Sequence, residues 1–281
     1  MERKNIPMAK TTKLSNRMKR YERVSDGALT LKTPVIIRID GSHFHSFTRG
    51  LKKPFDDILM SCMQNTMKSL CEDIQGCILG YTQSDEISLV LIDYQTKDTA
   101  AWFDYRIQKC ASIAASKATK YFNKYFSEAV EKYYENYMDA WNTSQEDEKY
   151  VQTLIKARDT GAEFDARVYN MPKEEVCNYL FWRQDDATRN SIQMVGHAYF
   201  STKEMNKKSN DQIQEMLWSR HNINWNNFSI PKKRGTCCIK VKTEMERNGE
   251  KFMRKKWTID KEIPIFTGEG REYIENLIYL T

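Results

Sequence analysis

Two apolar runs, Cys77 to Tyr81 and Ile87 to Ile92, are separated only by residues 82–86 in the stretch GCILGYTQSDEISLVLIDY. Runs of this length and spacing read as the two strands of a buried antiparallel hairpin. The turn between them sets Ser84, Asp85 and Glu86 side by side. A solvated turn accounts for one acidic pair at a hairpin tip. The alternative is that the fold brings these carboxylates to other charged groups, and that depends on what lies next to the hairpin.

The flanking sequence supplies the neighbours. Residues 10–27 read as a basic amphipathic helix that stops near Gly27, and PVIIRID, from Pro34, is a β-branched strand ending at Asp40 and Gly41. From Pro54 to about Asp73, Ile58, Leu59, Cys62, Met63, Met67, Leu70 and Cys71 recur at helical spacing. Residues 100–127 give a second helix, and EFDARVYNMP a short strand closed by its proline. The order βαββαβ is a split-βαβ, ferredoxin-like sheet with helices on one face, an α+β fold. Its first strand lies beside the central hairpin, so Asp40 meets Asp85 and Glu86 at one edge. Residues 128–162 read as helical with a polar break at NTSQEDE. After Pro172 come at least two helices to about Arg220, and then GTCCIKVKTEM and KFMRKKWTID flank Asn248-Gly249, a strong hairpin signal. The expected division is 1–170, the N-terminal helix and sheet, and 171–281, C-terminal helices and a basic hairpin packed on it as one unit.

Two ionised carboxylates about 4 Å apart repel by about 4 kcal/mol at an effective dielectric near 20, so the edge needs a cation or a shared proton. Mg²⁺ suits it, because that ion takes hard oxygen ligands from one or two carboxylates and leaves the rest of its shell to water and phosphate. Gly41 lets a backbone carbonyl approach as a further ligand, and a pair of ions there would serve phosphoryl transfer. Arg106 and Lys109, three apart on the second helix, could reach a triphosphate, as could Lys53 before the N-terminus of the first; each is alternatively a surface charge. Ser84 could offer its hydroxyl, or simply form the turn. His43 and His45 alternate like a metal-binding pair, but no further His is near and the carboxylates compete better for a hard ion.

The formal net charge of +6 decides little, but residues 231–256 hold ten Lys or Arg against three Glu, a local excess larger than that of the whole chain. Such a surface suits a polyanion, or is a solvated face. No apolar run reaches the ~18 residues of a membrane span, and the basic start MERKNIPMAKTTK leads into no signal-like core, so a cytoplasmic location is expected. Seven scattered cysteines without a CxxC pair are expected as reduced core thiols.

The stretches RIDGSHFHSF, LGYTQSDEISLV, FDARVYNMP, WRQDDATRN and HNINWNNFSIPKKRGT, in that order from residue 38 to residue 236, resemble the signatures of the tRNA-His guanylyltransferase family, 3′-to-5′ polymerases that add nucleotides to tRNA 5′ ends. The resemblance implies a sheet like the palm of ordinary polymerases. It implies two Mg²⁺ ions held by Asp40, Asp85 and the Gly41 carbonyl, with Glu86 adjacent and also catalytic, and triphosphate bound by His45, Lys53, Ser84, Arg106 and Lys109. It implies ATP or GTP activation of a tRNA 5′-monophosphate, followed by attack on the activated end by the 3′-hydroxyl of an incoming nucleoside triphosphate. It implies a homo-oligomer, commonly a tetramer. In the hairpin, Arg254, Lys255 and Lys256 become candidate tRNA contacts.

One motif departs. Where eukaryotic members carry HINNLYN, this chain has TRNSIQM, Thr188 to Met194, keeping only Asn190. That is similar to the bacterial and archaeal branch, whose members favour templated repair of 5′-truncated tRNAs, and residues 128–162 are also longer than in the eukaryotic type. The expectation is therefore template-dependent 5′-end repair, with guanylate addition to tRNA-His as the neighbouring alternative. A non-catalytic RNA-binding protein would have no use for a costly carboxylate cluster, and a nucleotidyl cyclase on the same sheet would need no tRNA surface.

Overall fold

The computed structural model describes residues 12–140, 144–247 and 250–279. Its centre is β1 (Val35–Ser42), which pairs antiparallel with β3 (Glu86–Leu91) from Val35 opposite Leu91 to Asp40 opposite Glu86. On its other side β1 pairs with β4 (Glu163–Asn170), and β3 forms the expected hairpin with β2 (Cys77–Gln83). The long C-terminal hairpin, β5 (Thr236–Arg247) and β6 (Glu250–Asp260), joins the same sheet through β2, from Thr82 opposite Thr236 to Leu79 opposite Ile239. The strand order is β4-β1-β3-β2-β5-β6, all antiparallel. The turn at Asn248-Gly249 lies outside the described residues.

Ten helices accompany the strands among the described residues: α1 (Lys13–Glu22), α2 (Phe44–Phe47), α3 (Asp57–Asp73), α4 (Ile107–Asp139), α5 (Gln145–Thr160), α6 (Lys173–Tyr199), α7 (Thr202–Met205), α8 (Asn210–His221), α9 (Ile230–Arg234) and α10 (Glu272–Ile278). They cover both faces of the sheet, where one face was expected. Val35, Ile37 and Ile39 with Ile87, Leu89 and Leu91 pack on the side of α3 and α4, while Ile36, Val90 and Ile92 pack with Val176 and Leu180 of α6 and Ile274 of α10. The physical reason is visible in the run VII: both parities are apolar, as in strands buried on both sides. Beyond the sheet, α7 and α8 fold onto the end of α6 through a small core around Val195, Ile213 and Leu217.

Element boundaries moved where local geometry overrode periodicity. The helix expected from residue 100 begins at Ile107, because Phe103, Asp104 and Tyr105 adopt left-handed φ near 50° and Leu29 N–H donates to the Tyr105 carbonyl at 3.0 Å, holding Arg106 outside the helix. It then runs to Asp139, and α5 starts after a Ser144–Asp147 capping box, so the polar break falls close to its expected place. The helix expected from Pro54 starts at Asp57, capped by the Asp56 carboxylate, which accepts from Leu59 N–H at 3.0 Å. All seven cysteines are buried and free, and no helix among the described residues is long and apolar enough to cross a membrane.

Candidate active site

The sheet register brings the acidic residues together. Asp40 sits opposite Glu86 on β3 and opposite Asp165 on β4, and Gly41 N–H donates to the Asp85 carbonyl at 3.1 Å. Ser84 makes the turn with φ of 50°. A Cβ on Gly41 would lie 2.2 Å from the Phe44 ring, so only glycine lets the chain turn from β1 into α2 this closely over the aromatic core. Burial, with a further push from Asp40, raises the Asp85 carboxyl above its ordinary value, although its backbone and Ser84 hydrogen bonds pull the other way. Among the described residues no three His, Cys, Asp or Glu side chains cluster as a metal site. The oxygens that the register gathers here are the carboxylates of Asp40 and Asp85, and hard donors of this kind suit an ion that leaves much of its shell to water and phosphate.

Glu86 is placed differently from its neighbours. Its side chain is buried, one oxygen accepting from Arg38 at 2.7 Å and the other from Arg183 Nε at 2.8 Å. Burial raises its carboxyl, and Arg183 and then Arg38 act against the rise. Arg183, itself 3% exposed, also reaches Asp186 at 2.7 Å, and Arg38 reaches Asp40 at 3.7 Å. The Glu86 carboxylate thus bridges Arg38 of β1 and Arg183 of α6 beside the edge. Neither arginine was singled out from the sequence. The signal was there for Arg38: a cation inside the run VIIRID is half-buried by its strand and must find a carboxylate.

Beside Ser84 lies a cavity of about 90 Å³ between the start of α3, the β2–β3 turn, α6 and α9. Phe55, Met60 and Met194 give it an apolar wall, and Asn190 and Lys233 line it with polar groups. The departing stretch Thr188 to Met194 thus borders the site. Ser191 fastens the far wall, donating to the Lys232 carbonyl at 2.7 Å and accepting from Trp225 Nε1 at 2.9 Å. Lys232 and Lys233, counted in the sequence only as part of a basic stretch, belong to this wall.

The remaining expected residues divide. His45 is exposed on α2, next to β1, with its ring within hydrogen-bond distance of Ser46 Oγ (3.1 Å), and Lys53 is exposed in the loop before α3. The α3 N-terminus, expected as an anion site, already holds the buried Asp56 carboxylate, which also accepts from Lys52 N–H at 3.0 Å and Tyr150 Oη at 2.6 Å. Arg106 and Lys109 are not brought to the edge. Arg106 forms a β-bridge with Ala28 near the Val35 end of β1, roughly 17 Å along that strand from Asp40. It caps α4 instead of sharing a helical face, and the Lys109 ammonium lies 4.6 Å from the Phe103 ring.

Arg254, Lys255 and Lys256 are exposed on β6, beyond the last β5 residue that pairs with β2, where the hairpin is a two-stranded ribbon. Lys242 faces Lys255 directly across it, a like-charge pair that an anion would relieve. Changing all three to Glu is expected to weaken tRNA binding and to lower the salt slope by about one for each phosphate that is no longer neutralised, as read from affinity against salt concentration. An unaltered slope would return the ribbon to a solvated surface.

The family model described as tRNAHis guanylyltransferase (Thg1) matches residues 15–172. A solved bacterial tRNA(His) guanylyltransferase-like protein in complex with ATP is 37% identical, with a TM-score of 0.76 over 95% of this chain and 99% of that one. Its counterpart in complex with GTP is 36% identical, with a TM-score of 0.72 over 95% and 100%. A probable tRNA(His) guanylyltransferase of Dictyostelium discoideum is 28% identical over 234 residues, covering 79% of this chain and 80% of its own.

Proposed function

Since the chain belongs to the tRNAHis guanylyltransferase family, we propose that this nucleotidyltransferase extends the 5′ end of tRNA in the 3′-to-5′ direction, with the opposing template base choosing the nucleotide. The observation that carries it is the convergence of Asp40 and Asp85 at one edge, where the Gly41 N–H bond to the Asp85 carbonyl locks the two segments. In this reading Asp40, Asp85 and the Gly41 carbonyl hold Mg²⁺, two ions by family resemblance, on a palm-like sheet. When bound, Mg²⁺ would neutralise phosphate charge and lower the cost of bringing an attacking oxygen to phosphorus. The chain's own part is to orient the reactants. Glu86 fixes Arg38 beside Asp40, Ser84 and the exposed His45 and Lys53 take the triphosphate, and the apolar wall of Phe55, Met60 and Met194 keeps water from the nucleotide. The tRNA 5′-monophosphate attacks the α-phosphorus of ATP or GTP and displaces pyrophosphate, and the 3′-hydroxyl of the incoming triphosphate then attacks the tRNA 5′-phosphorus, displacing the activating nucleoside monophosphate and giving up its proton. The enzyme would work as an oligomer in the cytoplasm.

The template enters because the chemistry needs only the metal edge and a phosphate cradle, so nucleotide choice comes from protein contacts or from the opposing base. The wall at Thr188 to Met194 offers one amide, Asn190, beside Met194 and Ser191, which is little with which to select guanine. A tRNA lacking its first 5′ nucleotide is expected to regain the Watson–Crick partner of the template base, and changing that base on one tRNA body should change the nucleotide added. The measurement is kcat/KM for each triphosphate against each of the template bases. Guanylate added equally well whatever the opposing base, with a strict need for the tRNA-His anticodon, would replace this reading with guanylate addition specific to tRNA-His.

A further inference from the structure

A second cavity, of about 510 Å³, opens on the other side of the metal edge, between α2 and the last turns of α5. The strand order puts β4 and this cavity on one side of β1 and the Ser84 turn on the other. Ser42, two residues beyond Asp40 and so about 7 Å along the strand, forms its near wall. Ser46 and Arg49 from the α2 side face Thr153 and Lys156 of α5 across it, and Glu163 is the one carboxylate lining it.

The cavity is built into the fold. Tyr150 of α5 is tied to the buried Asp56, Val151 and Leu154 are buried, and Asn123 brackets Ala162 with bonds of 2.8 and 2.9 Å to its N–H and carbonyl. Gly50, with φ of +90°, lets the loop after α2 press on α5, since an added Cβ would meet Thr153 at 3.1 Å. Arg49 and Lys156 are exposed and make no ion pair among the described residues. Two cations against one carboxylate leave a small positive excess, suited to a single phosphate and far short of the charge of a free triphosphate. The Thr153 hydroxyl donates to the Lys149 carbonyl at 2.9 Å and keeps its lone pairs to accept from a ribose hydroxyl, and Ser42 adds a second hydroxyl on the near wall.

We propose that this cavity receives the 5′-terminal phosphate and ribose of the RNA, on Arg49, Lys156 and the facing hydroxyls, leaving the Ser84 side of the edge to the free nucleotide. The long segment between α4 and β4 then has a role: it supplies the wall that seats the substrate end. This inference rests on the reading of the chain as a 5′-end nucleotidyltransferase.

The test measures binding of three probes to the full chain: a tRNA with a 5′-monophosphate, the same tRNA with a 5′-hydroxyl, and ATP. Wild type is expected to prefer the 5′-phosphate. Arg49→Ala with Lys156→Ala should weaken the phosphorylated tRNA by about tenfold or more and erase that preference, with ATP affinity unchanged. Lys156→Glu, an exposed change on a helix surface, should act in the same direction without altering the melting temperature. Absence of a 5′-phosphate preference in wild type, an equal loss for both tRNAs, or a loss of ATP affinity would each overturn the assignment. A wild type that prefers the 5′-phosphate but adds no nucleotide would sink the polymerase reading and leave the cavity assignment standing; one that adds nucleotides while the double variant binds unchanged would sink the cavity alone.

Discussion

Asp40→Asn and Asp85→Asn are each expected to lower nucleotide addition to a 5′-truncated tRNA by about 10³-fold or more, with the secondary structure of the chain unchanged. Each removes one of the two carboxylates at the edge without changing the shape of the side chain, so the deficit reports lost charge. A structural role would predict the reverse pattern in stability. The Asp85 carboxyl is raised by burial and by Asp40, which means the folded chain binds its proton more tightly than the unfolded chain does. Such a group stabilises the fold below its unfolded pKa, and that contribution is lost as pH rises through the raised folded value. Near neutral pH and in a chelator, Asp85→Asn should therefore melt at the same temperature as wild type or higher, and the difference should vanish towards acid. Activity within tenfold of wild type at ordinary Mg²⁺ would remove these residues from the chemistry. An activity loss matched by a lower melting temperature would make them structural.

The part of the site that could be read from sequence is the part carried by strands. PVIIRID and the hairpin around Ser84 have side-chain alternation and turn chemistry strong enough to fix which strand neighbours which, and that adjacency places Asp40 against Glu86 without reference to any helix. What could not be read depends on how helices start and cross. Arg106 looked helical because its neighbours are helix formers, but three left-handed residues upstream exclude it from α4 and carry it to the far end of β1. Lys53 precedes a helix N-terminus as expected, yet Asp56 fills that terminus, a choice between a ligand and an internal carboxylate that periodicity does not register. Arg183 lies 97 residues from Glu86, and no local signal in α6 names its partner. The second helical layer was legible in principle, since a strand apolar at consecutive positions has no solvent face.

Arg183→Met is expected to destabilise the chain by about 3 kcal/mol, the lower end of the range for removing one partner of a buried ion pair. The lower end applies because Arg38 still holds one oxygen of Glu86 at 2.7 Å, so the buried carboxylate is left half-paired instead of bare. For a chain of this size the melting temperature should fall on the order of 10 °C. Glu86 would then lose the guanidinium that most opposes the effect of burial on it, so its carboxyl should rise further. The sign follows: the cost is largest above that raised value, where Glu86 must be ionised, and shrinks as pH falls and the side chain becomes neutral. Adding Glu86→Gln to Arg183→Met should recover part of the loss, because the uncompensated charge is gone, and the non-additivity of the cycle measures the pair. In the double variant activity should fall through kcat more than through KM for the triphosphate, since Arg38 there loses Glu86, the partner that fixes it beside Asp40. Urea melts of the single and double variants at neutral and acidic pH decide it. A loss below about 1 kcal/mol, or strict additivity, would mean that the Glu86–Arg183 pairing is incidental and that α6 is held to the edge by Val176, Tyr179 and Leu180 alone.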